Sequence, residues 1–532
     1  MITSNLAARI RNWRGLALGG LLLLPVFAFA QLPTPTYGWN LGNTLEPPGG
    51  EGTWGPAATQ DLINAVAAAG FNTIRLPVAW DSHANHATNR IDPAWMARVK
   101  QVVDWCYAKN LYVIVNCHWD GGWLENNITD TVDPAIDAKM QSYWTQIATA
   151  FAGYDHHLLF AGANEPNCET AAQWATLRSY YKTFIGAVRA TGGINASRWL
   201  VVQGPNTNID LSEQLVTSLP DDPTPGRLAF EVHYYDPYQW TIMDTDATWG
   251  KTFYFWGQGY HHPTRADRNA SWGEESYIED QFQKMANKFI SQGVPVIVGE
   301  FTAIKRSGRA DLTGADFNLH VAARTYFHKY VVDAANRRGL KPIYWDIAGQ
   351  MFDWDTGALV DPDNQRALTG GPALPPVDVN AVPAAPSGVT ATAASSSQVN
   401  VTWSDNASTE ESFDLDRATD STFTAGLVTT NLAANTTSYQ ATGLAAATTY
   451  YFRVRAVNGA GSSENSSTAS VTTPAAASPA PTGGTPSSSG GNGGGGGGGG
   501  ALSGWFVGAL LLAALRRKRP LPARARGGAG GR

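Results

Sequence analysis

Eight short apolar runs recur along the first two thirds of the chain, and stretches with helical spacing of apolar residues separate them. Between residues 37 and 347, each run and the stretch that follows it take about 39 residues, the length of a strand, a loop and a helix. The first run lacks the G-x-G-x-x-G turn that a doubly wound open sheet carries there. The pattern therefore predicts an α/β fold over residues 31–370, namely a (β/α)8 TIM barrel. The runs are YGWNLGN, NTIRLPV, LYVIVNC, LLFAGAN, WLVVQGP, LAFEVHYY, PVIVGEF and KPIYWDI.

A different rhythm follows in residues 387–473, where apolar and polar residues alternate with a period of two. The segments QVNVTWSD, SFDLDRA, TSYQATGL and TYYFRVRAVN show it, and turn residues separate them. This pattern predicts a second, all-β domain, an immunoglobulin-like sandwich. Pro- and Ala-rich residues 371–386 and Pro/Ser/Gly-rich residues 474–500 are typical of linkers on its two sides.

The two ends of the chain have the composition of export and membrane signals. Residues 1–30 contain arginines, then an apolar run, then alanines spaced as a signal peptidase requires, which predicts a signal peptide. An N-terminal membrane helix is the alternative. Residues 501–532 contain an apolar run followed by the basic cluster RRKR, which predicts a sorting or anchor tail. We expect this tail to interact with a membrane or with a sorting protease.

Composition narrows the function. The 532-residue chain has a formal net charge of −6 and no long basic stripe before its C-terminal end, which argues against a nucleic-acid partner. Its 19 tryptophans exceed what a core needs, and flat rings suit uncharged, ring-shaped ligands such as sugars. Three cysteines give neither a metal-ligand spacing nor a disulfide framework. Together with the two chain ends, these features favour a secreted or cell-surface protein that handles carbohydrate.

Polar and aromatic residues collect where the predicted strands end. In a parallel barrel these ends share one face, the C-terminal rim, which is where catalytic groups accumulate in this fold. A single polar residue at a strand end could be a helix cap or a turn residue. Polar or aromatic residues at the ends of most of the predicted strands need another explanation. The candidate site residues are Arg75, His118, Asn164, Glu165, His233, Tyr235, Glu300 and Trp345.

Two of these residues are carboxylates, Glu165 on the fourth predicted strand and Glu300 on the seventh. Neither neighbourhood contains a phosphate-binding loop, a Cys/His nucleophile pair or a His-rich metal site. Two facing acids fit cleavage of a glycosidic bond, which needs one protonated and one ionised group. We expect Arg75 to hold Glu300 charged, and Glu165, which follows an apolar strand, to keep its proton.

The same residues carry a resemblance to a known family. The segments GWNLGNTLE, NTIRLPV, VNCHWDGGWLE, GANEPN, EVHYYDPY, VIVGEF and IYWDI resemble glycoside hydrolase family 5, the cellulase-type family of retaining β-glycanases. The resemblance implies that Glu165 is the acid/base and Glu300 the nucleophile. It also implies substrate-binding roles for the other residues of the set: Arg75, His118, Asn164, His233, Tyr235 and Trp345.

Two further resemblances concern the C-terminal part. The alternating module resembles a fibronectin type III domain, with Trp403 as the buried strand-B tryptophan and Tyr450 as the corner tyrosine. The Gly run, apolar stretch and basic cluster at the end resemble the GlyGly-type bacterial C-terminal sorting signal. A plain membrane anchor is the alternative for that tail.

Together these observations predict a secreted retaining endo-β-1,4-glucanase that hydrolyses plant-type β-glucan as a monomer, without a metal or organic cofactor. An endo-β-mannanase or a mixed-linkage or xyloglucan-specific glucanase is the alternative within this class. A non-catalytic cell-surface carbohydrate-binding protein is the alternative from another class. Five loop tryptophans are further candidates for sugar stacking, with loop packing as the alternative for each: Trp54, Trp119, Trp123, Trp240 and Trp256.

Overall fold

The computed structural model describes residues 32–33 and 36–476 of the chain. Eight parallel strands close into a barrel in chain order, and the first pairs with the last, with Asn40 opposite Trp345. The predicted fold class is confirmed. The strands are β1 (Gly38–Asn40), β2 (Thr73–Leu76), β3 (Tyr112–Asn116), β4 (Leu158–Ala161), β5 (Leu200–Gln203), β6 (Leu228–Tyr234), β7 (Val296–Phe301) and β8 (Lys341–Trp345).

Helices alternate with these strands, and local sequence signals fix where several of them begin. Asp92 and Asp133 each cap a helix whose first residue is proline, which lacks the N–H that a helix start leaves unused. Thr170 and Gln173 form a reciprocal capping box. The helices are α1 (Gln60–Ala68), α2 (Pro93–Tyr107), α3 (Pro134–Ala150), α4 (Ala171–Ala190), α5 (Ile209–Leu215), the one-turn α6 (Tyr238–Thr241), α7 (Glu275–Lys288), α8 (Gly314–Arg337) and α9 (Pro362–Leu368).

The strands are buried on both faces, which is why their sequences form continuous apolar runs. One face of each strand packs against the surrounding helices. The opposite face fills the half of the barrel nearer the strand starts, here called the lower half, with a small apolar cluster that includes Ile114, Leu159, Ala229, Ile297 and Ile343. We call this cluster the apolar floor. Polar side chains have room only above it, toward the ends of the strands.

The C-terminal module is a sandwich of two antiparallel sheets, as predicted. Trp403 and Tyr450 lie in its apolar core, and the Tyr450 hydroxyl accepts a hydrogen bond from Ala445 N at 2.9 Å, which is the contact of a tyrosine corner. Its strands are β9 (Ser387–Ser395), β10 (Gln398–Ser404), β11 (Ser412–Ala418), β12 (Val428–Ala433), β13 (Ser438–Ala441), β14 (Thr449–Asn458) and β15 (Ala469–Thr472).

The predicted domain boundaries stay predictions, although α9 ends at Leu368 and β9 begins at Ser387. The predicted signal peptide, the tail and most of the linker before the tail lie outside the described residues. Within residues 32–33 and 36–476, every helix is too short or too polar to cross a membrane. The three cysteines, Cys106, Cys117 and Cys168, are buried free thiols.

Two buried histidines of α8 hold the loop that follows β7. His320 Nε2 accepts from Arg306 N at 3.1 Å, and its Nδ1 lies 2.8 Å from the Tyr254 carbonyl oxygen. His328 Nε2 accepts from Ala303 N at 2.8 Å. A ring nitrogen that accepts a hydrogen bond carries no proton, so both rings are neutral. Burial lowers the pKa of His320 to about 3 and that of His328 well below its usual range.

These histidines should make the barrel less stable in acid. A histidine with a lowered pKa contributes stability above pH 6.5 that is lost as the pH falls, because the unfolded chain takes up the proton first. We expect His320→Gln to lower Tm at pH 7 and the gap from wild type to shrink by a few degrees, about 2 to 4 °C, at pH 5. Thermal unfolding followed by circular dichroism at both pH values measures this.

His86→Gln is the matched control, since the His86 side chain is 66% exposed. Its Tm should stay close to that of wild type, because an exposed side chain contributes little to packing. A gap for His320→Gln that stays constant or widens toward pH 5 would contradict the neutral state of this ring.

Candidate active site

Arg75 on β2 connects four strand ends above the apolar floor. Its side chain is fully buried, and Nη1 donates to Glu300 Oε1 at 2.9 Å and to Asn40 Oδ1 at 3.0 Å. Nη2 donates to Asn164 Oδ1 at 2.8 Å. The expected contact between Arg75 and Glu300 is therefore present. It fixes one oxygen of that carboxylate with a charge-assisted hydrogen bond.

Glu300 points into the barrel because β7 contains a bulge. Val298 lies opposite Val232 on β6, but His233, the next residue of β6, lies opposite Glu300. Alternation from Ile297, which faces the floor, would direct Glu300 toward the helices. The extra residue turns it inward, a use of bulges that is common beside active sites.

The second oxygen of Glu300 is also held. Tyr235 donates its hydroxyl to Glu300 Oε2 at 2.8 Å, and His233 Nδ1 lies 3.6 Å from the same oxygen. Burial raises the pKa of Glu300, whereas the charges of His233 and Arg75 oppose that rise. Both oxygens of this carboxylate are thus oriented before any ligand arrives.

Glu165 is the more exposed of the two carboxylates, with 47% of its side chain accessible against 7% for Glu300. Although it follows an apolar strand, its surroundings are partly solvated, and the expectation that it keeps its proton stays a prediction. His233 Nδ1 lies 2.9 Å from Glu165 Oε1. One carboxylate oxygen of Glu165, one ring nitrogen of His233 and one carboxylate oxygen of Glu300 all lie within 4.8 Å of one another.

This separation limits the chemistry. Carboxyl groups about 5 to 5.5 Å apart leave room for a sugar carbon bonded to one of them, whereas about 6.5 Å or more is needed to place a water between acid and substrate. One carboxylate oxygen of Glu165 lies within 4.8 Å of one carboxylate oxygen of Glu300, and this closeness agrees with the first arrangement. Among the described residues these two and His233 are also the group best placed to hold a metal ion, but Arg75 already supplies a positive charge at Glu300.

The two remaining predicted residues form an aromatic pair. His118, after β3, and Trp345, at the end of β8, have nearly parallel rings with centroids 6.1 Å apart. Asn116 Nδ2 lies 3.1 Å from His118 Nδ1. A Cβ on Gly42 would lie 2.7 Å from the Trp345 ring, so glycine at that position lets the ring lie against the β1 loop. Trp345 remains partly accessible as a flat surface.

The loop tryptophans divide into two groups. Trp240 and Trp256 are completely buried against Phe327 of α8, with ring centroids 6.1 Å and 5.0 Å from it. Sugar stacking by these two was a wrong prediction, because a ring buried in protein offers no face to a ligand. Trp123 is also buried, against Tyr143. Accessible faces remain on Trp54 and Trp119 and, unforeseen from the sequence, on Trp249 and Trp272.

Sequence reasoning missed the buried polar layer beneath the predicted residues. Glu231 on β6 ion-pairs with Arg75 Nε at 3.0 Å, and Gln203 Nε2 donates to Glu231 Oε2 at 2.5 Å. The available signal was the period of two: Glu231 precedes His233 by two residues and so shares its inward face.

Glu125 was missed as well. It lies in the loop after β3, is buried, and accepts a hydrogen bond from Glu165 N at 3.1 Å through Oε1. Burial raises the pKa of Glu125 to about 8. Glu125 therefore holds the backbone N–H of Glu165 from the buried side of the loop. Within the sequence it was one more glutamate in a polar loop segment.

Comparison with family models gives two matches. Residues 40–350 match the model described as cellulase (glycosyl hydrolase family 5), and residues 384–472 match the fibronectin type III domain. The first match covers more than half of the chain, and it includes every residue of the candidate site.

Characterised relatives are similar over the barrel. A xyloglucan-specific endo-β-1,4-glucanase of Bacteroides ovatus is 37% identical over 341 residues, which cover 60% of this chain but only 65% of that protein. Endoglucanase A of Paenibacillus barcinonensis is 34% identical over 58% of this chain and 80% of its own length. The alignment thus spans slightly less than two thirds of the first of these relatives.

Solved structures agree with this. A xyloglucan-specific β-1,4-glucanase from a ruminal metagenomic library, in complex with the oligosaccharide XXLG, has a TM-score of 0.57 and 39% identity, covering 64% of this chain and 95% of that one. A family 5 xyloglucanase from Paenibacillus pabuli has a TM-score of 0.56 and 34% identity, covering 64% and 98%.

The contact between Glu125 and Glu165 predicts a difference between two substitutions. Glu125→Gln keeps an oxygen that accepts from Glu165 N, so we expect kcat within about threefold of wild type. Glu125→Ala removes that oxygen and should lower kcat about 10- to 100-fold through a displaced Glu165. Steady-state kinetics on a soluble β-glucan measures both.

Glu169→Ala is the control. Glu169 is an exposed glutamate that, like Glu165, follows β4, and its substitution should leave kcat unchanged. If Glu125→Gln were as slow as Glu125→Ala, the carboxyl proton and not the accepting oxygen would be the important feature.

Proposed function

Because the chain belongs to glycosyl hydrolase family 5, we propose that it is a retaining endo-β-1,4-glucanase that cleaves β-glucan by double displacement. The observation that carries the proposal is the close pair formed by Glu165 and Glu300, which bring one carboxylate oxygen each within 4.8 Å of one another. Both oxygens of Glu300 already accept hydrogen bonds, from Arg75 and Tyr235. The family match, which covers residues 40–350 of the barrel, agrees with this chemistry.

In the first step Glu300 attacks the anomeric carbon while Glu165 protonates the departing glycosidic oxygen. Arg75 and Tyr235 hold the two Glu300 oxygens, so little reorganisation is needed as the nucleophile forms its bond. The partial exposure of Glu165 suits a group that must meet both a leaving oxygen and, later, a water. We assign the contact with the sugar 2-hydroxyl to Asn164, and its support is the hydrogen bond by which Arg75 orients the Asn164 side chain.

In the second step Glu165, now ionised, takes a proton from a water that attacks the glycosyl–enzyme bond. The anomeric configuration is retained because two inversions occur. We assign stacking on a sugar ring next to the cleavage point to Trp345, and its support is the partly accessible ring beside His118. No step requires a cofactor, and we propose that the enzyme acts as a monomer.

The names of the relatives favour one substrate among β-1,4-glucans. Similar proteins from Bacteroides ovatus, Paenibacillus pabuli and the ruminal library are named for xyloglucan. Xyloglucan has the β-1,4-glucan backbone of cellulose with added side chains, so it fits the proposed reaction. We therefore propose xyloglucan as the preferred polymer, ahead of unsubstituted and mixed-linkage glucans, and place mannan last.

For location, we propose that residues 1–30 direct export and that the C-terminal tail retains the protein at the cell surface or is removed by a sorting protease. The support is the order of charged, apolar and small residues at the N-terminal end and of Gly, apolar and basic residues at the C-terminal end. The fibronectin-like module would then separate the barrel from the membrane.

Reducing-sugar release by the full chain on xyloglucan, carboxymethylcellulose, mixed-linkage glucan and mannan tests the function. We expect the highest kcat/KM on xyloglucan and none on mannan. Glu300→Ala should lower kcat at least about 10³-fold, because it removes the nucleophile. Proton NMR of fresh product should show the β-anomer first, since the configuration is retained.

Binding to all four polymers without release would instead support the non-catalytic carbohydrate-binding alternative. Preferred release from mannan would support the mannanase alternative, and an α-anomer appearing first would contradict double displacement.

Export is tested by mass spectrometry of the protein made in a Gram-negative bacterium. We expect a mature chain that begins at Gln31 and a membrane-associated or surface fraction. Deletion of residues 501–532 should move the protein to the medium, because the proposed anchor or sorting signal is lost. A mature protein that keeps residues 1–30, or a deletion without effect on location, would contradict the proposal.

A further inference from the structure

Glu231 occupies an unusual place for a carboxylate. Its side chain is completely buried on β6, two residues before His233 and two after Ala229, which belongs to the apolar floor of the barrel. The three side chains share the inward face of one strand. Glu231 therefore lies between the floor and the reacting carboxylates, where it has no access to substrate.

The neighbouring strand is shaped to admit this carboxylate. A Cβ on Gly299 of β7 would lie 1.9 Å from Glu231 Oε1, closer than any real contact. Only glycine therefore fits at position 299. The bulge of β7 places this glycine and Glu300 side by side on the inward face, so the same irregularity makes room for Glu231 and aims Glu300.

Both oxygens of Glu231 have partners. Oε1 lies 3.0 Å from Arg75 Nε and 3.3 Å from His233 Nε2, and Oε2 accepts from Gln203 Nε2 at 2.5 Å. Burial would raise the pKa of Glu231, but Arg75, His233 and Gln203 lower it overall. Glu231 is thus an ionised carboxylate, since a charge survives burial only when it is paired in this way.

His233 faces carboxylates on both sides. Nε2 faces Glu231, while Nδ1 lies 2.9 Å from Glu165 Oε1 and 3.6 Å from Glu300 Oε2. Burial would lower the pKa of His233, but Glu300, Glu165 and Glu231 raise it to about 9. The other charged and titratable groups of this cluster are Arg75 and Tyr235, and both bind Glu300.

When Glu165 is protonated, as the first step of the proposed reaction requires, the charges of the cluster balance only with Glu231 present. Arg75 and a protonated His233 carry two positive charges, and Glu231 and Glu300 carry two negative ones. Without Glu231, one anion would face two cations in a buried site, and the imidazole ring would lose its proton more easily. We propose that Glu231 is a positioning residue that keeps His233 as an imidazolium, so that the ring holds Glu165 through an Nδ1–H hydrogen bond.

The consequence for catalysis rests on the proposed function, but the protonation of His233 does not. Nitrogen-15 NMR of the full-length protein, labelled at histidine and free of substrate, reports whether both ring nitrogens carry protons. The His233 signals are assigned by their loss in His233→Asn. We expect both nitrogens protonated at pH 7, with a midpoint above pH 8. A neutral ring at pH 7 in the wild type overturns the proposal without any variant of Glu231.

Glu231→Gln tests the cause, because it keeps the shape and removes the charge. We expect the His233 midpoint to fall below pH 7, by about two pH units, so that the ring is mostly neutral at that pH. We expect kcat to fall about 10- to 100-fold because Glu165 loses its orientation. KM should stay within about threefold, because the groups that bind the substrate are unchanged. An unchanged His233 midpoint overturns the proposal, even if activity is lost.

Asp361→Asn is the matched control. Asp361 is also a buried carboxylate of the barrel paired with an arginine, with Arg324 Nη1 2.8 Å from its Oδ2, but the structure gives it no contact with His233. Its substitution should leave the His233 midpoint unchanged. An equal shift in both variants would mean that general loosening moves His233, which overturns the specific role of Glu231. Failure of wild type on every polysaccharide would remove the proposed function and leave these NMR results unaffected.

Discussion

The guanidinium of Arg75 is the interaction on which the upper half of the barrel depends. It is fully buried and contacts oxygen atoms from four strand ends, those of Asn40, Asn164, Glu231 and Glu300. Arginine suits this position because its planar fork offers several donors in fixed directions and keeps its charge when buried. Removal of this one side chain would leave two buried carboxylates, Glu231 and Glu300, with His233 as their shared counter-charge, a much larger cost than loss of a surface ion pair.

Around this centre the barrel separates two tasks that a single layer of side chains could not perform. The apolar floor supplies stability and excludes water from below. The buried polar layer of Gln203, Glu231 and Arg75 then orients groups that have to remain charged. Glu165 and Trp345 lie above this layer and are partly open to solvent, so packing constrains them less than it constrains the buried Glu300.

Much of this arrangement could be predicted from the sequence because strand ends of a parallel barrel converge. The eight apolar runs predicted the fold, and seven of the candidate residues lie at or just after strand ends, while Arg75 is buried directly beneath them. The contact of Arg75 with Glu300 followed from the same reasoning. What could not be predicted depends on distances across the barrel: the inward turn of Glu300 comes from a bulge that alternation does not show, and Trp240 and Trp256 are buried by α8, far along the chain.

The bulge of β7 also bears on how this site tolerates mutation. Position 299 is neither a nucleophile nor an acid, yet a single added methyl group there would collide with Glu231 beneath the reaction centre. A mutational scan scored by activity alone would group Gly299 with the reacting residues. In an engineering campaign, the strand that carries Glu300 is therefore a poor place for diversity, and new specificity is better sought in the loops that hold Trp54, Trp119, Trp249 and Trp272.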